Sequence, residues 1–141
     1  MKNINTKDKI KKRIGTYVKT HFTKINPEDF ILGEINYTHR CHLNAVQKVK
    51  EGKAAKVFSC VAIDKDDDAG VVVHFINQTK EGKFVDHTWG WMSQHYNYYL
   101  IKEIEDIEQN TIWKSLIYTK ESLFNLHSNW FERLFANKDI I

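Results

Sequence analysis

Apolar residues near the N-terminus recur at the spacing of an amphipathic helix. They are Ile10, Ile14, Tyr17, Val18 and Phe22, which would share one face at 3.6 residues per turn. Basic side chains dominate the other positions of residues 1–24. Such a face can contact nucleic acid or an acidic partner, although it is more often a solvated surface. We therefore expect a first helix that docks through its apolar stripe.

A second helical segment is predicted over residues 41–51. Strong helix formers occupy it, apolar positions recur at helical spacing, and Gly52 suits the position just after a helix end. The first residue of this segment is Cys41. The pattern therefore predicts a cysteine at a helix N-terminus.

Runs of β-branched and aromatic residues then indicate strands separated by turn-rich segments. The first three, typical of a β-meander, are Ala55–Ile63, Gly70–Asn77 and Lys83–Thr88. Two further strands are predicted over Tyr96–Ile104 and Thr111–Tyr118.

A closing helix is predicted over Lys120–Asn137. Its apolar residues fall largely on one side: Leu123, Leu126, Trp130, Leu134 and Phe135. Helices that flank a run of antiparallel strands define the α+β class. Because no repeat or long linker interrupts the pattern, we predict one domain over residues 1–141.

Length and composition agree with a globular domain. The chain has 141 residues, of which 42% are hydrophobic and 28% charged, with a net charge of +3. No apolar run approaches the ~20 residues of a membrane helix, and no secretory signal is recognisable. We expect a cytoplasmic protein with no membrane partner, in which Cys41 and Cys60 are free thiols.

A histidine and an aspartate face each other if residues 78–82 form a hairpin loop. Two residues then pair across the hairpin when their sequence numbers add up to 160. His74 therefore lies opposite Asp86, at a Cβ separation of ~4.5–5.5 Å. The carboxylate would accept one ring N–H, fix the tautomer and stabilise the imidazolium. In this register His87 points to the opposite face, so the two histidines cannot share a metal ion.

Cys41 is the predicted nucleophile. The positive end of a helix dipole and the unpaired N–H groups there lower the pKa of a thiol, and the same N–H groups can hold an oxyanion. Cys60 lies mid-strand and is interpreted as a small buried hydrophobe. It stays the alternative reactive thiol because it can lie next to the His74 strand.

The order Cys41, His74, Asp86 resembles the transglutaminase-like branch of the papain-like cysteine enzymes. His74-Phe75 is similar to the His-aromatic strand of that family, and Phe84 to Thr88 to its Asp-Pro-Thr strand. Three segments also look similar to small bacterial and phage proteins: Cys41 to Asn44, His74 to Asn77 and Asp86 to Thr88. The resemblance implies that a helix bearing Cys41 packs on a mainly antiparallel sheet of about four to six strands.

The same resemblance implies an activity that needs neither cofactor nor metal. A Cys41-His74-Asp86 triad would hydrolyse, deamidate or transamidate a protein or peptide amide. The backbone N–H of Cys41 would supply one oxyanion donor. Candidates for the second donor are Asn36, His39 and Asn44.

Two positions depart from the family pattern near the expected substrate cleft. His42 stands where the family has an aromatic residue, and His87 where it has proline. The acyl donor and the acceptor, water or amine, therefore stay open. The predicted substrate-binding residues are His42, Asn44, Asn77, His87, Trp89 and Trp91.

Other interpretations stay open beside the triad. His74 and Asp86 could be an ordinary cross-strand polar pair, with Cys41 in the core. The run His39 to His42, completed by His87 or His95, offers zinc ligands, although the spacing matches no known zinc pattern.

Aromatic residues are dense over Trp89–Tyr99 and could stack on nucleic-acid bases, together with the basic first helix. They could equally pack in the core and wall the cleft. Asp64–Gly70 lacks the glycine and glutamate that an EF-hand loop requires, so we interpret it as a charged hairpin loop.

Overall fold

In the computed structural model, which describes residues 5–141, helices and strands follow one another along the chain. The α-helices are α1 (Thr6–His21), α2 (Cys41–Lys50), α3 (Asp106–Gln109) and α4 (Ile112–His127). The strands are β1 (Thr23–Lys24), β2 (Phe30–Ile31), β3 (Lys56–Asp64), β4 (Val71–Gln78), β5 (Phe84–Val85) and β6 (Tyr96–Ile104). The predicted α+β class is confirmed.

The six strands form one mixed sheet in the order β1-β6-β3-β4-β5-β2. Neighbouring strands run antiparallel, except that β2 is parallel to β5. The long strands β3, β4 and β6 form the centre. Strand β5 pairs with β4 only through Asn77 and Gln78. Within the described chain, the part of β4 before Asn77 therefore has no strand on the side away from β3.

Side chains alternate between the two faces of this sheet. One face packs on the helices through residues that include Val57, Val61, Val73 and Phe75. The other face carries Cys60, Ala62, Ile76 and Tyr98 under aromatic rings from β2, β5 and the segment after β5. The sheet thus has a helical layer on one side and an aromatic layer on the other.

The two predicted helices in the first half of the chain are confirmed. In α1, Ile10, Ile14 and Val18 are fully buried against the sheet. Helix α2 begins at Cys41, as expected, and Gly52 follows its end with φ of 74°. That positive φ is the left-handed conformation that favours glycine after a helix.

The strand predicted over Thr111–Tyr118 is wrong, because this segment is the first half of α4. Ile112 and Leu123 are buried, and Leu116 and Thr119 lie between them on the same side. That spacing continues the helical stripe of the later residues. The β-branched residues misled the prediction because burial against the sheet outweighs local β-propensity.

The closing helix predicted over Lys120–Asn137 is also wrong in its bounds, since α4 ends at His127. Ser128 is extended, and after it Asn129 and Glu132 cap each other, each side chain accepting the other's backbone N–H at 2.8 and 3.0 Å. Local polar bonds of this kind compete with helix continuation. Leu126 in the last turn of α4 is exposed, and so are the large apolar residues beyond the break: Trp130, Phe131, Leu134 and Phe135.

The β4–β5 turn differs from the prediction by a shift in pairing. Asn77 pairs with Val85, and the backbone N–H of Thr79 donates to the Lys83 carbonyl at 2.7 Å, so the turn is shorter than the predicted loop 78–82. Gly82 has a φ of 85° and suits the last position of a three-residue hairpin loop. The expected direct pairing of His74 with Asp86 is therefore wrong. The shift is two residues, so both side chains keep the same face as diagonal neighbours.

Candidate active site

Helix α2 presents its first residue, Cys41, at the open edge of β4. Arg40 precedes the helix and makes no side-chain capping bond, so the first N–H groups of α2 lack a cap. Cys41 is buried, with 9% of its surface exposed. An interaction with the backbone N–H of Phe75 on β4 helps to lower the pKa of the thiol. The thiol therefore lies beside N–H groups at the start of α2 that no side chain caps.

Asn77 anchors this helix to the sheet. It is fully buried, and its Nδ2 donates to the carbonyls of Ala45 at 2.9 Å and Lys56 at 3.1 Å. One side chain thus ties α2 to β3 from a position on β4. These two bonds hold α2, and with it Cys41, in position relative to the sheet.

His74 and Asp86 form a buried hydrogen-bonded pair. The distance from His74 Nε2 to Asp86 Oδ2 is 2.8 Å, and the exposed fractions of the two side chains are 2% and 0%. An ionised carboxylate only accepts, so Nε2 carries the proton. The other ring nitrogen, Nδ1, is left for the Cys41 thiol. The structure therefore brings the three predicted catalytic residues together.

The Asp86 carboxylate accepts four hydrogen bonds. Oδ1 accepts from the backbone N–H groups of Thr88 at 2.8 Å and Trp89 at 2.9 Å. Oδ2 accepts from His74 and from the Tyr98 hydroxyl, the latter at 2.6 Å. A buried carboxylate is tolerated when its lone pairs are filled in this way. The chain after β5 turns around Asp86 and fixes the carboxylate in one orientation.

The Trp89 ring covers the imidazole. Its centroid lies 3.9 Å from that of His74 with an interplanar angle of 19°. Tyr96 packs on the same indole, with ring centroids 4.4 Å apart. This stack keeps water from the His74–Asp86 bond and holds the imidazole plane.

The charges in the site favour a thiolate and an imidazolium. Burial acts to raise the pKa of Cys41, but hydrogen bonding to His42 and His74 outweighs it and lowers the pKa to about 6. Burial acts to lower the pKa of His74, but the Asp86 carboxylate and Cys41 raise it to about 9. Burial opposes ionisation of Asp86 as well, yet His74 and Tyr98 hold its pKa below the usual value. Each group stabilises the charged form of its neighbour.

Cys60 is placed differently from Cys41. It is fully buried in β3, directly opposite His74, and its thiol donates to the His74 carbonyl at 3.5 Å. Burial, with the nearby Asp86 charge, raises its pKa well above the ordinary thiol value. A thiol that stays protonated is a poor nucleophile, so Cys60 is the weaker candidate.

The predicted substrate-binding residues have diverse positions. His42 is partly buried and interacts with the Cys41 thiol in a way that lowers the pKa of that thiol, and Trp89 covers His74. Trp91 is 56% exposed on the short turn before β6. His87 is half-buried, its Nδ1 has no partner within residues 5–141, and burial together with Lys48 lowers its pKa.

Asn44 holds the loop that precedes α2. Its Nδ2 donates to the Thr38 carbonyl at 2.9 Å and to Thr88 Oγ1 at 3.0 Å, and its Oδ1 accepts from Asn36 Nδ2 at 3.1 Å. The amide protons of Asn44 are thus engaged within the protein. The role of Asn44 in this geometry is to tie the 36–38 loop to the chain after β5.

Sequence reasoning missed two residues that contact this network. Tyr98 bonds to Asp86, and Thr88 joins Asp86 to Asn44 through its backbone and its hydroxyl. The alternation of β6 puts Tyr98 on one face, but only the register between β6 and β3 reveals which face. No sequence signal marks Thr88 beyond its place two residues after Asp86.

Among residues 5–141, no group of three or more His, Cys, Asp or Glu side chains is arranged to hold a metal ion. Within the same residues, no helix is long and apolar enough to cross a membrane. The segment Asp64–Gly70 is the β3–β4 hairpin loop, closed by a bond from Asp64 N to Gly70 O at 2.8 Å.

No protein-family model, curated protein or solved structure matches this chain.

Proposed function

We propose that this chain is a cysteine-dependent acyl-transfer enzyme in which Cys41 attacks an amide or thioester carbonyl. The observation that carries the proposal is the buried 2.8 Å bond between His74 Nε2 and Asp86 Oδ2, on an imidazole that also interacts with the Cys41 thiol. A base held by a carboxylate beside a thiol at a helix start is a nucleophilic triad in its chemistry.

The first half of the reaction forms an acyl-enzyme. The Cys41 sulfur bonds to the carbonyl carbon, and the electron pair of the C=O bond moves to oxygen. When that oxyanion collapses, the bond to the leaving amine or thiol breaks, and the His74 imidazolium gives its proton to the leaving group. The proton needed is the one the pair already holds, because the pKa of His74 is raised to about 9.

The second half returns the thiolate. Water or an amine gives a proton to His74 as it attacks the thioester carbon, and the bond to Cys41 breaks. The imidazolium and thiolate are then restored together. Hydrolysis, deamidation and transamidation share these steps and differ in the leaving group and the acceptor.

The start of α2 supports stabilisation of the oxyanion. Its uncapped N–H groups and the positive end of the helix dipole lie beside Cys41. The backbone N–H of Cys41 is the first donor in this proposal. Among the candidates for the second, Asn44 has its amide protons engaged with Thr38 and Thr88, which favours a further backbone donor such as His42 N–H.

The limited exposure of Cys41 favours a slender acyl donor. With 9% of the residue exposed, the thiol can meet an extended group more readily than a folded surface. A carboxamide on a flexible side chain, or the end of an unfolded peptide, fits this requirement. We therefore favour a protein or peptide amide as substrate.

The architecture supports assignment to the transglutaminase-like branch of the papain-like enzymes. A helix that begins at the cysteine packs on a mainly antiparallel sheet, the histidine lies on β4, and the aspartate follows β5 in the same chain order. His42 and His87 depart from that family pattern, and both lie at or near the site. They are the residues in which we expect the acyl-donor preference to differ.

The test measures the rate at which limiting iodoacetamide alkylates each cysteine between pH 5 and pH 9. Peptide mass mapping identifies which cysteine has reacted. We expect Cys41 to react as a thiolate down to about pH 6, and His74→Ala to lower its rate at pH 6.5 by about tenfold or more. The matched control, Cys60→Ala, should leave the Cys41 profile unchanged. A Cys41 profile centred near ~8.5, and the same in His74→Ala, would contradict the thiolate–imidazolium pair.

A second measurement tests acyl transfer itself. Incubation with a simple acetyl thioester should give a mass adduct on the Cys41 peptide that is absent in Cys41→Ala and in His74→Ala. Cys60→Ala should still form it. Rapid alkylation of Cys41 without any acyl adduct would restrict the site to a reactive thiol and contradict the proposed activity.

A further inference from the structure

A tyrosine outside the triad bonds to the same carboxylate oxygen as the histidine. The Tyr98 hydroxyl donates to Asp86 Oδ2 at 2.6 Å, and His74 Nε2 donates to that oxygen at 2.8 Å. Both side chains are buried, Tyr98 with 3% of its surface exposed. Two donors therefore share one oxygen away from bulk water.

Small residues on the central strand allow this contact. His74 lies on β4 and Tyr98 on β6, with β3 between them. The β3 partners of His74 and Tyr98 are Cys60 and Ala62 respectively, and both point to the same face. Because these side chains are short, the two rings approach across β3 with centroids 6.2 Å apart.

The tyrosine ring is held independently of its hydrogen bond. Phe30 of β2 stacks on it with centroids 4.7 Å apart and an interplanar angle of 29°. Backbone pairing with β3 holds β6, the strand that carries Tyr98. The hydroxyl is therefore presented to Asp86 in a fixed direction, and no rotation of the phenol is needed to make the bond.

We propose that Tyr98 is a positioning residue of the candidate site, one that locks the Asp86 carboxylate and limits how strongly that carboxylate retains the proton of His74. The inference rests on the proposed function for its catalytic consequence. A hydrogen bond to a carboxylate oxygen spreads its charge and lowers its basicity. The His74 proton is then shared with a weaker base and is released more readily to a leaving group.

The sign of the effect follows from this arrangement. Without the hydroxyl, Asp86 Oδ2 would become a stronger acceptor for His74 alone, so the pKa of His74 would rise further. The imidazolium would keep its proton to higher pH and transfer it less readily. Acyl-enzyme formation should become slower even though the thiolate persists.

The test compares Tyr98→Phe with Tyr96→Phe. Tyr96 lies two residues away on the same strand and face and packs on Trp89, but makes no hydrogen bond to Asp86. The pKa of His74 is measured by NMR titration of its ring protons. We expect Tyr98→Phe to raise this pKa by about half a pH unit or more. Tyr96→Phe should leave it at the wild-type value.

A graded donor keeps the inference testable if Tyr98→Phe folds poorly. A difluorotyrosine at position 98 is a more acidic phenol and a stronger donor, so it should shift the pKa of His74 downward. An unchanged pKa of His74 with both replacements would overturn the positioning role and leave Tyr98 as a core residue.

Failure of the proposed function looks different from failure of this inference. If Cys41 forms no acyl adduct in the wild type, the proposed function fails, yet the titration of His74 still reports on the Tyr98 bond. If the wild type is acylated and the pKa of His74 does not change when Tyr98 is replaced, the proposed function is supported and the positioning role of Tyr98 is wrong.

Discussion

Asp86 is the residue on which the candidate site depends most, because four donors converge on its buried carboxylate. Asp86→Asn keeps the shape but puts an NH₂ group against donors, leaving at least one of them without an acceptor. We expect a loss of about 3 kcal/mol in the free energy of unfolding, measured in urea. Asp29→Asn is the matched control, since Asp29 is an exposed partner of Lys83 at 3.3 Å. That surface pair should contribute less than ~1 kcal/mol, and equal losses in the two variants would contradict the role given to Asp86.

At the scale of elements, the segment after β2 must pass very close to the segment after β5. A Cβ atom on Gly33 would lie 2.3 Å from the Asp86 carbonyl oxygen and 2.9 Å from its carbonyl carbon. Gly33→Ala should therefore push apart the two segments that frame the site and lower the Cys41 alkylation rate at pH 6.5 several-fold. Gly15→Ala is the control, because its nearest contact, Val71, is a side chain at 3.4 Å. A Gly33→Ala protein with wild-type alkylation would contradict this close approach.

The end of α4 gives a second prediction at this scale. Leu123 is 6% exposed and packs in the core with α1, whereas Leu126, one turn later, is 64% exposed. Leu123→Ala should lower the free energy of unfolding by about 2–4 kcal/mol, and Leu126→Ala by less than ~0.5 kcal/mol. Equal costs measured by chemical denaturation would mean that Leu126 is part of the core, as the longer predicted helix required.

For the whole molecule, the coupled charges of the site predict an unusual dependence of stability on pH. The folded-state pKa of His74 is raised to about 9, so its contribution is full below the unfolded value of ~6.5 and is lost as pH rises through 9. The folded-state pKa of Cys41 is lowered to about 6, so its contribution is full above the unfolded value of ~8.5 and is lost as pH falls through 6. Between pH 6.5 and 8.5 the two trends oppose each other, and the free energy of unfolding should stay nearly constant.

Cys41→Ala should reveal the histidine trend alone. Its free energy of unfolding is expected to fall by roughly 1–2 kcal/mol from pH 6.5 to pH 8.5, because only the imidazolium contribution then changes. Cys60→Ala should keep the flat wild-type profile, since the Cys60 thiol stays protonated in the folded protein. A Cys41→Ala profile as flat as that of the wild type would mean that the two groups do not titrate as a pair.

The sequence by itself determined the elements whose signals are local. The apolar stripe of α1, the start of α2 at Cys41, the strand Tyr96–Ile104 and the α+β class all follow from hydrophobic periodicity and from the residues that begin or end a helix. It also determined the candidates Cys41, His74 and Asp86, because alternation along a strand survives an error of two residues in register.

Tertiary structure decided what depends on neighbours distant in the sequence. The first half of α4 is helical because burial on the sheet outweighs the β-propensity of Thr111–Tyr118. The short edge strands β1 and β2 exist only through pairing with β6 and β5. The contact of Tyr98 with Asp86 depends on three strands lying side by side with short residues between them. Such contacts are set by pairing across the sheet, and no local pattern along the chain encodes that pairing.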